Sequence, residues 1–257
     1  VIRNPWEGAA AAASLYSGVP IINAGDGGHL HPTQTLTDLV TLYNEKGRLD
    51  HLCIGLCGDL MYGRTVHSLI KTMTRFEGNS FVLISTPELA LPQYVKDIMD
   101  AAGCKYREVS SLEEAIPSLD VLYMTRIQQE RFPSRESYES QKGVFVLDNK
   151  KLLAAKKDLK ILHPLPRVDE IEVSVDDDPR ATYFRQTVYG VYARMALILT
   201  ILRGANIGVP KKAKTSTHPY HCTNPRCITQ TEHYLPNLFT EAGGMITCVY
   251  CDGRTLI

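Results

Sequence analysis

From residue 1 to about residue 181, short β-branched runs alternate with longer stretches in which apolar residues recur every three or four positions. The runs Val19-Pro-Ile-Ile-Asn, His51-Leu-Cys-Ile-Gly-Leu-Cys, Ser80-Phe-Val-Leu-Ile-Ser, Lys105-Tyr-Arg-Glu-Val, Val121-Leu-Tyr-Met and Lys160-Ile-Leu-His have strand composition. Leu36, Leu39, Val40 and Tyr43 fall at i, i+3, i+4 and i+7, and Val66, Leu69, Ile70 and Met73 repeat that spacing, which predicts two amphipathic helices. A third helix, near 182–203, carries Met195, Leu199 and Leu202 on one face, and Gly204 follows as its stop. Strands alternating with helices predict an α/β fold built on a mainly parallel, doubly wound sheet.

After Gly204 this pattern ends. The segment Gly208-Val-Pro-Lys-Lys-Ala-Lys-Thr-Ser-Thr is poor in large apolar residues and locally basic, as a linker would be. The remaining tail from about residue 217 is too short to stabilise a hydrophobic core unaided, so it needs a staple.

Composition narrows the class. The 257 residues are 44% apolar and 22% charged, in the range of folded globular chains. Lys and Arg total 28 and Asp and Glu total 28, so no global basic field collects nucleic acid, and any anion site must be local. The longest apolar stretch, Met195 to Leu202, is far short of the roughly 20 residues that span a bilayer, so no membrane contact is expected. The opening Val-Ile-Arg-Asn-Pro-Trp reads like mid-domain sequence and not like a secretory signal, which favours reduced cytoplasmic thiols.

Four of the seven cysteines crowd the tail. Cys222 and Cys227 bracket four residues and Cys248 and Cys251 bracket two, a spacing in which two knuckles present four thiolates to one Zn²⁺. Two disulfides are the competing reading. Four thiolates would close the coordination sphere, so the predicted metal is structural, and the neighbouring His218, His221 and His233 are read as surface residues.

Four further segments sit where strands end. Asn23-Ala-Gly-Asp-Gly-Gly-His-Leu-His31-Pro-Thr-Gln34 runs through a glycine loop into a helix opened by Pro32, whose free N–H groups suit an anion. His31 and Gln34 share one face of its first turn; ordinary helix capping explains the segment equally well. Gly58-Asp-Leu-Met-Tyr-Gly-Arg64-Thr65 places an arginine at a helix N-terminus, against the dipole, which favours a bound anion there. Val121-Leu-Tyr-Met-Thr-Arg126-Ile-Gln128 and His163-Pro-Leu-Pro-Arg167 complete the set. In open α/β sheets ligands collect at the carboxyl ends of strands, so a shared anion site at Arg64 and Arg126 is the sharper reading over two solvated arginines.

Together, Gly25-Asp-Gly with His31-Pro-Thr-Gln-Thr, Gly58-Asp-Leu with Gly63-Arg-Thr-Val-His-Ser-Leu, Tyr123-Met-Thr-Arg-Ile-Gln and His163-Pro-Leu-Pro-Arg-Val-Asp-Glu-Ile closely resemble the catalytic chains of the aspartate carbamoyltransferase family, over about residues 1–203. The tail, with Asn224-Pro-Arg-Cys-Ile, resembles the zinc domain of that family's regulatory chain, fused here in one polypeptide. The resemblance implies an aspartate/ornithine carbamoyltransferase-like fold with a small C-terminal zinc-binding β domain. It implies transfer of the carbamoyl group of carbamoyl phosphate to L-aspartate, giving N-carbamoyl-L-aspartate and phosphate, on the way to pyrimidines. Arg3, His31 and Gln34 then correspond to binders of carbamoyl phosphate, His31 and Arg3 acting on the reacting group, with the backbone of Leu165 and Pro166 near the carbamoyl nitrogen. Arg64 and Arg126 correspond to clamps on the aspartate carboxylates, assisted by Thr65 and Gln128.

The resemblance also sets the expected domains: 1–47 the end of a carbamoyl-phosphate domain, closed by the helix near 182–203; 48–181 an aspartate-binding domain; 204–216 a linker; 217–257 the zinc-binding domain. The family's Ser-Thr-Arg-Thr-Arg phosphate loop and the lysine loop lent by a neighbouring subunit are not in this sequence, which is therefore expected to be an incomplete enzyme. Met61 stands where some relatives carry lysine. The implied assembly is a homo-oligomer built from catalytic trimers, without nucleic acid or membrane. Two alternatives stay open: ornithine carbamoyltransferase, disfavoured because His163-Pro-Leu-Pro lacks that family's His-Cys-Leu-Pro cysteine, and a noncatalytic zinc-bearing assembly subunit.

Overall fold

The computed structural model describes residues 1–127, 132, 134–204 and 215–256. The chain divides into two compact units, Val1–Thr33 with Met195–Ile257, and Gln34–Arg194.

In the first unit, strand β1 (Ile2–Asn4) pairs in parallel with β2 (Asn23–Asp26), and helix α1 (Ala9–Tyr16) lies between them in sequence. The strand expected over Val19–Asn23 starts instead at Asn23. Pro20 has no N–H to give a ladder, and Val19 is exposed, so the run gains nothing from pairing earlier.

The second unit opens with α2 (Pro32–Lys46, its first two residues counted with the first unit). Then come β3 (Cys53–Cys57), α3 (Arg64–Met73), β4 (Ser80–Ile84), α4 (Gln93–Ala101), β5 (Lys105–Val109), α5 (Leu112–Ala115), β6 (Val121–Met124), α6 (Arg135–Glu139), α7 (Asn149–Leu152), β7 (Lys160–Leu162) and α8 (Tyr183–Leu202). The five strands form one all-parallel sheet in the order β5-β4-β3-β6-β7. One face carries the cluster of Val82, Ile84, Leu122, Met124, Phe145 and Ile161, and the other that of Ile54, Leu56, Phe81, Leu83, Val121 and Tyr123. The expected doubly wound parallel sheet is present, and its order reverses between β3 and β6.

Val66, Leu69, Ile70 and Met73 of α3 are wholly buried, as their spacing predicts. Helix α2 is different: Tyr43 is 62% exposed, while Thr37, Asp38, Thr41 and Leu42 are buried. On α8 the expected apolar face is likewise turned outward, Met195 at 54%, Leu199 at 46% and Leu202 at 76% exposure, and Tyr183, Gln186, Gly190 and Ala193 are buried instead. Apolar periodicity alone cannot register a polar stripe whose hydrogen bonds are all made inside the fold, and that stripe decides the inward face here.

The tail returns to the first unit. Strands β8 (Ser216–Thr217), β9 (Leu238–Ala242), β10 (Met245–Cys248) and β11 (Arg254–Leu256) make an antiparallel sheet in the order β11-β10-β9-β8. Its core of Cys222, Cys227, Phe239, Ile246, Cys248 and Tyr250 is continuous with Ala9 and Ala12 of α1. Most of the expected linker, residues 205–214, lies outside the described residues. No described helix is long and apolar enough to cross a membrane.

Candidate active site and metal centre

The point where strand order reverses in an open parallel sheet leaves a crevice at the strand ends. In the second unit that crevice lies beyond β3 and β6. Thr125 bridges the two strand ends: its hydroxyl donates to the Cys57 carbonyl at 2.9 Å and accepts the Asp59 N–H at 2.9 Å. Gly58 has φ +110°, and a Cβ there would meet the Thr125 carbonyl oxygen at 2.5 Å, so only glycine lets the loops close together. The cleft is lined by Gly58, Thr125, Ile127, Lys142, Asp169 and Glu170.

Arg64 is the first residue of α3 after Gly63, and Arg126 follows β6 by two residues; both are half-buried. The topology therefore brings the two arginine-bearing loops to neighbouring strand ends, as the sequence suggested. Thr65 shares the hydroxyl of Tyr123. Gln128 lies outside the described residues. His67, in the same motif, serves the fold: it is buried, its Nε2 donates to the Leu60 carbonyl at 2.8 Å and its Nδ1 accepts from Tyr94 at 3.0 Å.

After β7, His163 organises the Pro-rich turn. Its Nδ1 accepts the Leu165 N–H at 2.8 Å, so Nε2 carries the proton and donates to Glu170 at 2.6 Å. Burial pushes the Glu170 carboxyl up, but the hydrogen bonds from His163 and from the backbone outweigh it, and the net shift is below the usual range. Leu165 is half-buried at φ +50°, Pro166 is exposed, and Arg167 forms a two-pronged pair with Asp176 under the Tyr183 ring.

Gln34 is buried on α2 and donates to Asp38 at 2.8 Å. Asp38 also accepts from Gln186 at 2.7 Å and from the Tyr123 hydroxyl at 3.1 Å. Burial drives its carboxyl up to about 7, against the lowering effect of those donors and of the Arg194 charge. Sequence reading missed Asp38 and Gln186; the i, i+4 spacing of Gln34 and Asp38 was the available signal.

In the first unit, Arg3 is exposed on β1 and His31 precedes α2, its Nδ1 facing the Thr33 hydroxyl at 3.4 Å. The loop before His31 is held by Asp26, which accepts the N–H groups of Gly8 at 2.8 Å and Leu30 at 3.1 Å. His29 lies between Asp26, 3.2 Å away, and Asp252, 3.0 Å away. Burial alone would lower its imidazole, yet the two carboxylates push it up to about 9.

The four tail cysteines converge beside that loop. Their sulfurs lie within 4.8 Å of one another, with Cys222 and Cys251 at 3.5 Å and Cys227 and Cys248 at 3.9 Å. A disulfide needs about 2.05 Å, whereas a tetrahedron with metal–sulfur bonds of about 2.3 Å has edges near 3.8 Å. All four are free thiols, so the donor set fits a four-coordinate metal and not two disulfides.

The family model for the Asp/Orn-binding domain of aspartate/ornithine carbamoyltransferases matches residues 50–201, and that for the carbamoyl-P-binding domain matches residues 1–44. The chain belongs to the aspartate/ornithine carbamoyltransferase family. Among carbamoyltransferases it is 58% identical over 202 residues to the aspartate carbamoyltransferase catalytic subunit of Lachnoclostridium phytofermentans, covering 78% of this chain and 66% of that one. The Clostridium kluyveri catalytic subunit is 56% identical over 201 residues, with the same coverage. The chain thus spans slightly under two thirds of these curated relatives.

Solved carbamoyltransferase structures agree. The catalytic subunit of M. jannaschii aspartate transcarbamoylase superposes with TM-score 0.73 at 46% identity, over 80% of this chain and 66% of that one. The Trypanosoma cruzi enzyme in complex with N-(phosphonacetyl)-L-aspartic acid gives TM-score 0.73 at 38% identity, over 78% and 64%.

Proposed function

We propose that this chain carries carbamoyl transfer from carbamoyl phosphate to L-aspartate, yielding N-carbamoyl-L-aspartate and phosphate, the step that commits aspartate to pyrimidine synthesis in the cytoplasm. The carrying observation is the pair of arginine loops at the sheet's reversal point, within a domain that matches the family over 152 residues, 50 to 201. Two guanidiniums suit the two carboxylates of aspartate, where ornithine would bring a second amine.

The chemistry needs no covalent enzyme intermediate. The aspartate amine attacks the carbamoyl carbon, the carbamoyl oxygen takes up negative charge, the C–O bond to phosphate breaks as that oxygen's charge returns, and the departing phosphate takes the amine's proton. Arg64 and Arg126, with Thr65 and Gln128, hold the aspartate. His31 and Arg3 donate to the developing oxyanion, and Gln34 with the backbone of Leu165 and Pro166 receives the carbamoyl nitrogen. Positioning and electrostatic stabilisation are the terms that such a site supplies.

Cys222, Cys227, Cys248 and Cys251 hold Zn²⁺ in this reading, and the ion's chemistry is structural because four thiolates leave no open position. By family analogy alone the assembly is a homo-oligomer built from trimers. The deciding experiment is a steady-state assay of the native enzyme with aspartate and with ornithine. Carbamoyl-aspartate formation lost in Arg64→Ala supports the reading; turnover of ornithine only, or full activity in that variant, rejects it.

A further inference from the structure

Asp38 is completely buried in the middle of α2, and its two oxygens accept three donors. Oδ1 takes the side-chain N–H groups of Gln34 at 2.8 Å and Gln186 at 2.7 Å, and Oδ2 takes the Tyr123 hydroxyl at 3.1 Å. The guanidinium of Arg194 contributes its field. Burying a carboxylate is costly even with partners, and an apolar side chain would fill the space more cheaply. The charge therefore supplies orientation.

A primary amide has one donor end and one acceptor end. With Nε2 tied to Asp38, Gln34 cannot flip without losing a charge-assisted bond, and Oε1 is the end left to meet a ligand. Gln186 is fixed in the same sense, since its Oε1 accepts the His163 N–H at 3.0 Å. His163 in turn holds the Leu165 N–H. Tyr123 shares its hydroxyl with Thr65. One buried carboxylate thus reaches Gln34 and, through one or two side chains, both the Leu165–Pro166 turn and Thr65.

We propose that Asp38 is a positioning residue that locks Gln34 as a hydrogen-bond acceptor, so that the site reads the –NH₂ group of its carbamoyl donor. The assignment rests on Gln34 belonging to the carbamoyl-phosphate site. It predicts a discrimination that a merely structural carboxylate would not give: carbamoyl phosphate is preferred over acetyl phosphate, in which a methyl group replaces –NH₂.

The test measures dissociation constants of carbamoyl phosphate, acetyl phosphate and inorganic phosphate for the full native enzyme and its variants. Gln34→Ala lowers the carbamoyl-to-acetyl preference by about tenfold, the worth of one hydrogen bond. Asp38→Leu lowers it by a similar factor and leaves inorganic phosphate binding unchanged. Asp38→Asn, whose Oδ1 still accepts from both glutamines, retains the preference.

A folded Asp38→Leu enzyme with the wild-type preference overturns the proposal if Gln34→Ala has lost it. If Gln34→Ala itself keeps the preference, the reading of Gln34 as a carbamoyl-site residue fails first and the proposal falls with it. Should Asp38→Leu not fold, Asp38→Ala, which removes the acceptor without overfilling the site, takes its place and Asp38→Ser is measured beside it. Both lose the preference while inorganic phosphate binding is kept, because neither reaches Gln34 Nε2 with a carboxylate. A wild-type preference in either variant overturns the proposal.

Discussion

Gln34 and Gln186 donate to the same oxygen of Asp38, at 2.8 and 2.7 Å, joining the inward faces of α2 and α8 through a single buried carboxylate. This contact explains why both helices turn polar and small residues inward. Among the described residues no buried side-chain nitrogen or oxygen lacks a partner, so the polar stripe costs far less than its composition suggests.

The same carboxylate makes stability depend on pH. Its folded value, about 7, lies above the ordinary aspartate value of 3.8, so the unfolded chain ionises first as pH rises. The group therefore adds no penalty below pH 4 and its full penalty above pH 7. Asp38→Asn is expected to stabilise the protein by about 1–3 kcal/mol at pH 8 and to leave it unchanged near pH 4. Thermal melts of both proteins at the two pH values check this; equal shifts at both would refute the charge explanation.

Gly8 sits at φ +84° with its Cβ position 2.5 Å from Tyr250 Cβ and 2.6 Å from the Tyr250 backbone. Gly8→Ala combines a left-handed backbone penalty with a clash against main chain, and is expected to cost about 2–4 kcal/mol. The loss should appear as selective protease sensitivity of the tail. An alanine variant as resistant as wild type would show that the contact relaxes without cost.

Removing the metal should act on the tail. Cys248→Ser, or strong chelation, leaves a module whose buried centre consists of thiols, and structural zinc supplies on the order of 10 kcal/mol to such small domains. Metal analysis of the purified protein should find one ion per chain, and after chelation the tail should be cleaved rapidly. Full resistance to protease with no metal bound would point to a core that stands alone.

Arg126→Ala is expected to raise the aspartate KM by about tenfold to a hundredfold, the worth of a charge-assisted hydrogen bond to a carboxylate. The carbamoyl phosphate KM should hardly move. A normal aspartate KM in the native enzyme would remove Arg126 from the clamp.

His31→Ala is expected to lower kcat by about 10² to 10³, as loss of one donor to a developing oxyanion does. Substrate binding should change less than turnover. Unchanged turnover would leave His31 a helix-start residue and nothing more.

Much of this was legible in the residues. The strand runs at 53–57, 80–84, 105–109, 121–124 and 160–162 form strands with boundaries shifted by at most two residues, because a continuous β-branched run bounded by turns has few other ways to be buried. The four cysteines were legible because a metal centre demands a spacing that little else explains. The inward faces of α2 and α8 were not legible. Tyr43, Met195 and Leu202 look like core, yet Asp38, Thr41 and Gln186 are the buried residues, and only their mutual distances show that they are satisfied.

The sequence by itself determined the alternation of elements, the sheet they build, the arginine loops at the strand ends and the thiol set of the tail, since each follows from local periodicity or fixed spacing. Only the tertiary structure decided which helix faces are buried, that Asp38 anchors Gln34, and that Gly8 and Asp26 meet the tail through Tyr250 and His29. Apart from the i, i+4 pair of Gln34 and Asp38, those are contacts between residues far apart in the chain, and their energy depends on desolvation and hydrogen-bond geometry, which no one-dimensional pattern encodes.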